Sequence, residues 1–487
     1  MEKPTYIDVA VALPMDNTYV YKVPDHLKHA ALTGMRVLVP FGRRRITGYI
    51  IGFRKDSGGY QARLILDFPD DTPLFPPGMI SFFKWISNYY IHPLGEVIKT
   101  ALPVGLNRYD VSVLNITPAG LDALAANTIT PRERNILASL QEKGPLPVKT
   151  FTTVKNSTGI HALVKKMDSQ GLVLLSSSLK KDQIQMKKET FFSHIKGVPD
   201  TVKLSTKRQL LLAMVKKDGE IALSKLKKEI PTAPKLAKIL EDQGYIKRFE
   251  KQVFRDPLGE PVIPDTPPPL THEQQSVVNQ VQDNINMGFH AYLLSGVTGS
   301  GKTEVYMRLV SLAEEKGQGA IVLVPEISLI SQTERRFRAR FGNRIAVLHS
   351  ALTKGELLDQ WHRILKGDVS IVIGARSAIF APLASIGIII VDEEHDSSYK
   401  QESGLRYNAR DIAVVRGKMC DIPVVLGSAT PSMQSYYNAC QGKFTELQLK
   451  KRVNKRPLPE IHMVDLRKYK DFRGREKIIT PELSREI

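Results

Sequence analysis

Six short runs of apolar, largely β-branched residues recur between residues 291 and 430: YLLSG, AIVLVP, IAVLHS, VSIVIGA, IGIIIVDE and IPVVLGSA. Stretches of about 10–20 residues with helical spacing separate them. A strand that is apolar at nearly every position has no side left for water, so it must be covered on both faces. Strands of this kind alternating with helices predict a parallel sheet between two helix layers. One of the runs is odd. IGIIIVDEEHD ends in three consecutive carboxylates, which repel one another and resist burial unless positive charge is brought to them.

The rest of the chain reads differently, and 487 residues are too many for one core. Residues 1–105 are expected to be β-rich, because YIDVAVAL, TYVYKVP and GMRVLVPFGRRRITGYIIGF alternate with period two. Arg43, Arg44 and Arg45 fall in a turn there, either as a solvated hairpin tip or as phosphate contacts beside Phe41 and Tyr49. ISFFKWISNYYIHPLGEVIKTALP follows with helical spacing, and Phe82, Trp85, Ile86 and Tyr89 share one side as expected core. From 111 to 255 the pattern is helical, rich in lysine, and repeats after about 75 residues. TPRERNILASLQEKGPLPVKTF with HALVKKMDSQGLVLL is matched by STKRQLLLAMVKKDGEIALSKL with PKLAKILEDQGYIKRF. Helix, glycine turn, short helix, third helix and glycine-led strand is the order of a winged helix, which docks on DNA or on protein. The expected organisation is multidomain α/β: a β-rich domain at 1–105, winged-helix-like repeats at 111–180 and 200–255, and a proline-dense linker at 256–270. A parallel-sheet lobe at 271–450 and a connector at 451–487 complete it.

Charge narrows the partner. There are 69 Lys and Arg against 50 Asp and Glu, a net charge of +19 and a pI near 9.6, an excess that points to a polyanion and first to nucleic acid. Two cysteines, Cys420 and Cys440, exclude a disulfide framework and a four-cysteine zinc site from these residues. No apolar run reaches the roughly 18 residues of a membrane span, and Asp8 stands where a signal peptide needs an apolar block. A soluble, cytoplasmic protein without a membrane partner is expected.

In a parallel sheet, ligands sit beyond the carboxyl ends of the strands. The first apolar run leads straight into GVTGSGKTE, which is G-x-x-x-x-G-K-[ST] with a strand before it and a helix after it. Gly296, Gly299 and Gly301 let the backbone wrap round phosphates so that N–H groups and a helix N-terminus face the negative charge. Lys302 is placed to reach the β- and γ-phosphates, and Thr303 to offer its hydroxyl to Mg²⁺. Asp392 is the expected second Mg²⁺ partner, and Glu393 the group that orients and deprotonates water. The acid run is then tolerated because Mg²⁺, Lys302 and the loop dipoles compensate it. Ser428 and Thr430, at the end of IPVVLGSATP, read either as sensors of the γ-phosphate or as a helix cap.

GVTGSGKTEVY, LVPEISL, VLHS, VIGARSAIFAP, VDEEHDSSYKQE, RYNARD and GSATPS, in this order, resemble the first motor lobe of the superfamily 2 helicases, and within them the PriA family of bacterial replication restart. TYVYKVP and GMRVLVPFGRRR are similar to that family's domain for a DNA 3′ end. The resemblance implies ATP and Mg²⁺ as cofactors, with Gln274 recognising adenine. It implies that Pro325, Glu326, Arg376 and Ser377 follow the backbone of a single strand. SSYKQESGLRYNARD resembles the aromatic-rich loop that couples DNA to hydrolysis through His395. Tyr399, Lys400, Tyr407 and Arg410 there interleave rings with cations, and a base stacked on such a ring contributes about 1–3 kcal/mol. The implied partners are branched, forked and single-stranded DNA, primosome proteins and single-strand-binding protein.

The chain departs from the family in three ways. An aromatic–Asp–aromatic set is replaced by Tyr19–Val20–Tyr21, which keeps two rings to stack on a base and lacks the carboxylate for a terminal 3′-hydroxyl. The second lysine-rich repeat is extra. Up to Ile487 the family's cysteine-rich zinc module and second lobe with its arginine finger do not occur. The expected function is an ATP-dependent 3′-to-5′ DNA helicase, with little turnover from these residues alone. The other reading is a DNA-binding scaffold that recruits primosome proteins and whose ATP site is idle or regulatory.

Overall fold

The computed structural model describes residues 5–42, 44–59, 61–106, 110–126, 129–151, 160–179, 188–195, 205–255, 262–285, 287–325, 327–453, 461–469 and 479–486. Period-two alternation at the N-terminus gives β1 (Tyr6–Val11), β2 (Thr18–Lys22), β3 (Arg36–Phe41), β4 (Arg44–Arg54) and β5 (Arg63–Leu64), in a sheet of order β3-β4-β1-β2-β5. Ile7, Val9, Val37 and Ile50 fill its core. Two helices follow, α1 (Met79–Tyr89) and α2 (Leu94–Ala101). Phe82 and Ile86 are buried, whereas Tyr89, expected in the core, is 64% exposed and stacks on Trp85 with centroids 4.7 Å apart.

Two small antiparallel sheets carry the middle of the chain. The first contains β6 (Asp110–Ile116), β7 (Leu146–Pro147) and β8 (Val173–Leu179), with α3 (Pro118–Ala126), α4 (Pro131–Lys143) and α5 (Ile160–Ser169) between them. The second contains β9 (Lys188–His194), β10 (Glu220–Ala222) and β11 (Ile246–Gln252), with α6 (Thr206–Asp218), α7 (Leu223–Glu229) and α8 (Ala233–Asp242). Each sheet includes a strand ahead of its helices, and β9 lies before residue 200.

The seven-stranded sheet is parallel throughout, with order β14-β15-β13-β16-β17-β12-β18. Its strands are β12 (Ala291–Gly296), β13 (Gly319–Leu323), β14 (Ile345–Leu348), β15 (Ile371–Gly374), β16 (Ile386–Val391), β17 (Val424–Ser428) and β18 (Thr445–Leu449). Helices α9 (His272–Asn284), α10 (Lys302–Glu315), α11 (Ile327–Phe341), α12 (Lys354–Lys366), α13 (Ala409–Cys420) and α14 (Met433–Cys440) connect or flank them. Alternate residues of one strand serve two cores. Ile388 and Ile390 pack with Val277, Val305 and Phe337 of α9, α10 and α11. Ile389 and Val391 share the opposite core with Trp361 of α12 and Ile412 of α13, and also with Phe82, Phe83 and Ile86 of α1.

The N-terminal helices are therefore part of the parallel-sheet lobe's own core. The Trp361 indole N–H donates to the Leu74 carbonyl at 2.8 Å, and the Asn408 N–H donates to the Tyr90 hydroxyl at 3.1 Å. Among the described residues no helix is long and apolar enough to cross a membrane.

Candidate functional site

Gly296 ends β12 and Lys302 begins α10, so the intervening loop points fourteen aligned peptides of helix at whatever it encloses. Gly299 and Gly301 both have φ of +82°, the left-handed region where a side chain is strained. A Cβ at Gly301 would also lie 2.3 Å from Nε2 of Gln274. Lys302 is folded back over the loop, its Nζ donating to the Gly296 carbonyl at 3.0 Å and standing 3.7 Å from Glu393. Ser300 is buried with no hydrogen-bond partner for its hydroxyl. Beside the loop, a 600 Å³ cavity is lined by Gly301, Thr303, Glu304, Arg335 and Arg336. A larger cavity of 830 Å³ lies at the opposite ends of the strands, by Ile386 and Ile422, away from this chemistry.

Gln274, expected to recognise adenine, lies against the phosphate loop. Its Oε1 accepts the Thr271 N–H in a capping box at the start of α9, and its Nε2 donates to the Ser300 carbonyl at 2.8 Å. In this conformation the amide ties the start of α9 to the phosphate loop, with one N–H and one oxygen lone pair left over.

The acid run divides. Asp392 Oδ1 accepts the Tyr306 hydroxyl at 2.9 Å and the Glu393 N–H at 3.1 Å. Burial, reinforced by the charge of Glu393, pushes the Asp392 carboxyl up to about 6. Glu393 adopts φ of +44°, a left-handed conformation that costs about 1 kcal/mol or more for a residue with a Cβ. That turn sets its carboxylate 3.7 Å from Lys302 and 3.7 Å from His395. Glu394 is held by Arg410, Ser432 and Ser435. The run is therefore not compensated at one point: Lys302 is the cation of Glu393, and Arg410 that of Glu394.

Among the expected coupling residues, His395 Nδ1 lies 2.8 Å from the buried Ser428 hydroxyl, which also accepts the Thr430 N–H at 3.0 Å. The Thr430 side chain is exposed. The expected strand-contacting set is partly inside the protein. Pro325 is buried and its carbonyl accepts the Ser398 hydroxyl, Arg376 donates to the Ser398 and Lys400 carbonyls, and Ser377 is exposed. Glu326 and Arg43 lie outside the described residues.

Tyr399, Tyr407 and Arg410, expected to meet a base, are 1%, 2% and 8% exposed and lie inside the protein in this structure. The Tyr399 hydroxyl donates to the Asp392 carbonyl at 2.6 Å, and Tyr407 sets its edge against Phe380. Of that segment Lys400 and Arg406 reach solvent, with Lys400 over the Tyr90 ring.

At the N-terminal sheet, Tyr19 and Tyr21 line an 810 Å³ cavity together with Val20, Phe41, Arg54 and Arg63. The Tyr21 hydroxyl donates to the Pro40 carbonyl at 3.1 Å, and burial pushes it up to about 12. Tyr19 meets Phe41 edge-on at 5.1 Å, and Arg44 is exposed nearby. Val20 pairs across the ladder with Asp8, whose carboxylate takes both contacts of the Arg54 Nε.

Two features escape a reading of the sequence. Tyr306 was signalled by position, four residues after Lys302 and so on the same helix face. The segment after β18 had no motif: Val453 N–H donates to the Gly299 carbonyl, and Glu273 accepts the Lys450 and Lys451 N–H groups.

A phosphate loop after β12, acids after β16 and a histidine–serine contact to β17, on one parallel sheet, define a nucleotide-binding lobe of the helicase class. Residues 271–439 match the DEAD/DEAH box helicase family, and residues 8–103 match the 3′DNA-binding domain (3′BD) family of PriA. The replication restart protein PriA of Bacillus subtilis (strain 168) is 35% identical over 461 residues, 93% of this chain and 56% of that protein. PriA of Synechocystis is 32% identical over 484 residues, 94% of this chain and 56% of that protein. The chain belongs to the PriA family and spans about half the length of these relatives. Among solved structures, RecG bound to a three-way DNA junction overlaps 38% of this chain and 24% of its own, at 25% identity and a TM-score of 0.31.

Proposed function

We propose that the chain binds branched or forked DNA and Mg²⁺–ATP as part of an ATP-dependent 3′-to-5′ DNA helicase of replication restart. The observation that carries this is the convergence of Lys302, Asp392 and Glu393 at the carboxyl end of the sheet, 3.7 Å separating Lys302 from Glu393. The residues present suit the nucleotide and its metal: the glycine cradle, the unpartnered Ser300 hydroxyl, and a raised carboxyl that a cation would return to its charged form. Thr303 and Asp392 would hold Mg²⁺, whose other ligands in such sites are phosphate oxygens and water. When bound, the ion supplies charge neutralisation of the transferring phosphoryl group. Lys302 turns from the Gly296 carbonyl toward the phosphates, and Glu393 takes the proton of the attacking water. His395 and Ser428 report the state of the site to the loop that follows.

The N-terminal sheet takes a DNA 3′ end at the Tyr19–Tyr21 cavity, with Arg44 on phosphate, which is supported by the match of residues 8–103. The two helical repeats act as winged-helix domains. Each has three helices followed by a strand, and the second repeat starts with β9, earlier than residue 200. Primosome proteins and single-strand-binding protein are the proposed protein partners, and the cytoplasm the proposed compartment. Turnover by these residues alone is slow, because an arginine finger from a second lobe is worth about 10³–10⁵ in rate.

A second reading, a DNA-binding scaffold with an idle site, is favoured by the burial of Tyr399 and Tyr407. Phosphate release with and without single-stranded DNA separates the two, measured on this chain and on a longer one carrying a second lobe. DNA stimulation that appears with the longer chain and disappears in Lys302→Ala supports the motor. No stimulation in either supports the scaffold.

A further inference from the structure

Glu394, the third acid of the run, has partners of its own. Its Oε1 accepts the Ser432 N–H at 2.6 Å, and its Oε2 accepts the Ser435 hydroxyl at 2.7 Å, the Ser432 hydroxyl at 3.0 Å and Arg410 Nη1 at 3.2 Å. Arg410 completes the cluster, with Nη1 donating to the Ser432 hydroxyl at 3.0 Å and Nη2 to Gln434 Oε1 at 2.5 Å. Three segments meet here: the turn after β16, the first turn of α13 and the first turn of α14. Glu394 is 1% exposed and Arg410 8% exposed.

A buried ion pair is a poor source of stability, since desolvation offsets most of its attraction and apolar side chains would join three segments as well. What it adds is direction: several hydrogen bonds satisfied together in one geometry, and none satisfied well in another. Each joined segment also leads somewhere. Glu394 is followed by His395, which contacts Ser428 at 2.8 Å. The Glu394 N–H donates to the Gly427 carbonyl beside that serine at 3.0 Å. Arg410 follows Asn408, which bridges to Lys400 at the far end of the basic segment and caps α13.

We propose that Glu394 and Arg410 are positioning residues that latch the Lys400–Arg410 segment to the Ser428–His395 contact, so that DNA held by that segment and nucleotide held by the loop change one another's affinity. This rests on reading the loop as an ATP site, and it names the side chains that carry the coupling.

Glu394→Gln keeps the shape and the acceptor for Ser432 and removes the charge that holds Arg410. The dissociation constant of a non-hydrolysable Mg²⁺–ATP analogue is measured on the full chain with and without a single-stranded oligonucleotide. In the unmodified chain DNA should shift it by about five-fold or more, and reciprocally. In Glu394→Gln each ligand alone should bind within about two-fold of normal while the mutual effect falls to near one. Equal coupling in both proteins overturns the latch. So does the absence of coupling in an unmodified chain that binds both ligands, which would leave the ATP site standing. Hydrogen exchange decides the matter even if no nucleotide binds, an outcome that would fail the ATP reading itself. In Arg410→Gln the amides of Thr430 and Ser432 should exchange roughly ten-fold faster, although the substitution lies on α13. Unchanged exchange there overturns the proposal.

Discussion

Tyr306 donates its hydroxyl to Oδ1 of Asp392 at 2.9 Å, joining the second turn of α10 to the residue that follows β16. Tyr306 is buried and Asp392 half-buried: burial first, and then the charge of Asp392, drive the phenol well above its ordinary value, whereas the phenol's hydrogen bond favours the charged carboxylate. The pKa of Asp392 is thus raised by burial and by the charge of Glu393, in spite of the Tyr306 hydroxyl that it accepts.

Asp392 should destabilise the nucleotide-free protein. Its ordinary value is 3.8 and its folded value about 6. Between the two the folded state keeps a proton that the unfolded chain has lost, so its stability is greatest at low pH and falls as pH rises to about 6. A shift of that size corresponds to roughly 3 kcal/mol. Thermal unfolding at pH 7.5 should show Asp392→Asn melting several degrees higher than the unmodified chain. The difference should shrink near pH 4, and Mg²⁺–nucleotide should stabilise only the unmodified chain.

A second prediction joins Tyr306 to Gly427. A Cβ at Gly427 would stand 1.7 Å from the Tyr306 hydroxyl oxygen. Gly427→Ala should therefore cost about 1–3 kcal/mol. Tyr306→Phe removes that oxygen and should recover part of the loss, a coupling readable in a denaturant double-mutant cycle. Strictly additive values would contradict the packing described.

Tyr90→Phe tests the seam between the N-terminal helices and the lobe. It removes the acceptor of the Asn408 N–H and keeps the ring under Lys400. The cost should be about 1 kcal/mol. Hydrogen exchange should localise the change to Asn408 and the start of α13.

DNA binding should weaken steeply with salt. With a net charge of +19, phosphate contacts are the main source of affinity, and log K should fall linearly with log salt. An affinity flat between roughly 50 and 200 mM salt would remove the lysine-rich repeats from the account.

Legibility of the fold followed burial. The six apolar runs are all strands of the parallel sheet, because residues buried on both faces leave an unbroken apolar signature. β18, TELQL, was missed because it is an edge strand with Glu446 and Gln448 in water. β9, KETFFSH, was missed because it follows a run of lysine and polar residues. At the site, loop spacing located Lys302 and the strand end located Asp392. The fate of Glu394 was not readable, since it depends on a left-handed turn at Glu393, for which the residue type gives no signal. The inward rings of Tyr399 and Tyr407 were missed for a related reason: alternating aromatic and basic residues look alike whether they face DNA or a core.

The central claim is that a magnesium-bound triphosphate is what the loop of Lys302 and the carboxyl of Asp392 are shaped to hold. Isothermal calorimetry of the 487-residue chain with ATP, with and without Mg²⁺, tests it directly. The account predicts Mg²⁺-dependent binding at one site, lost in Lys302→Ala and in Asp392→Asn. No magnesium-dependent heat from the folded, unmodified chain would contradict it.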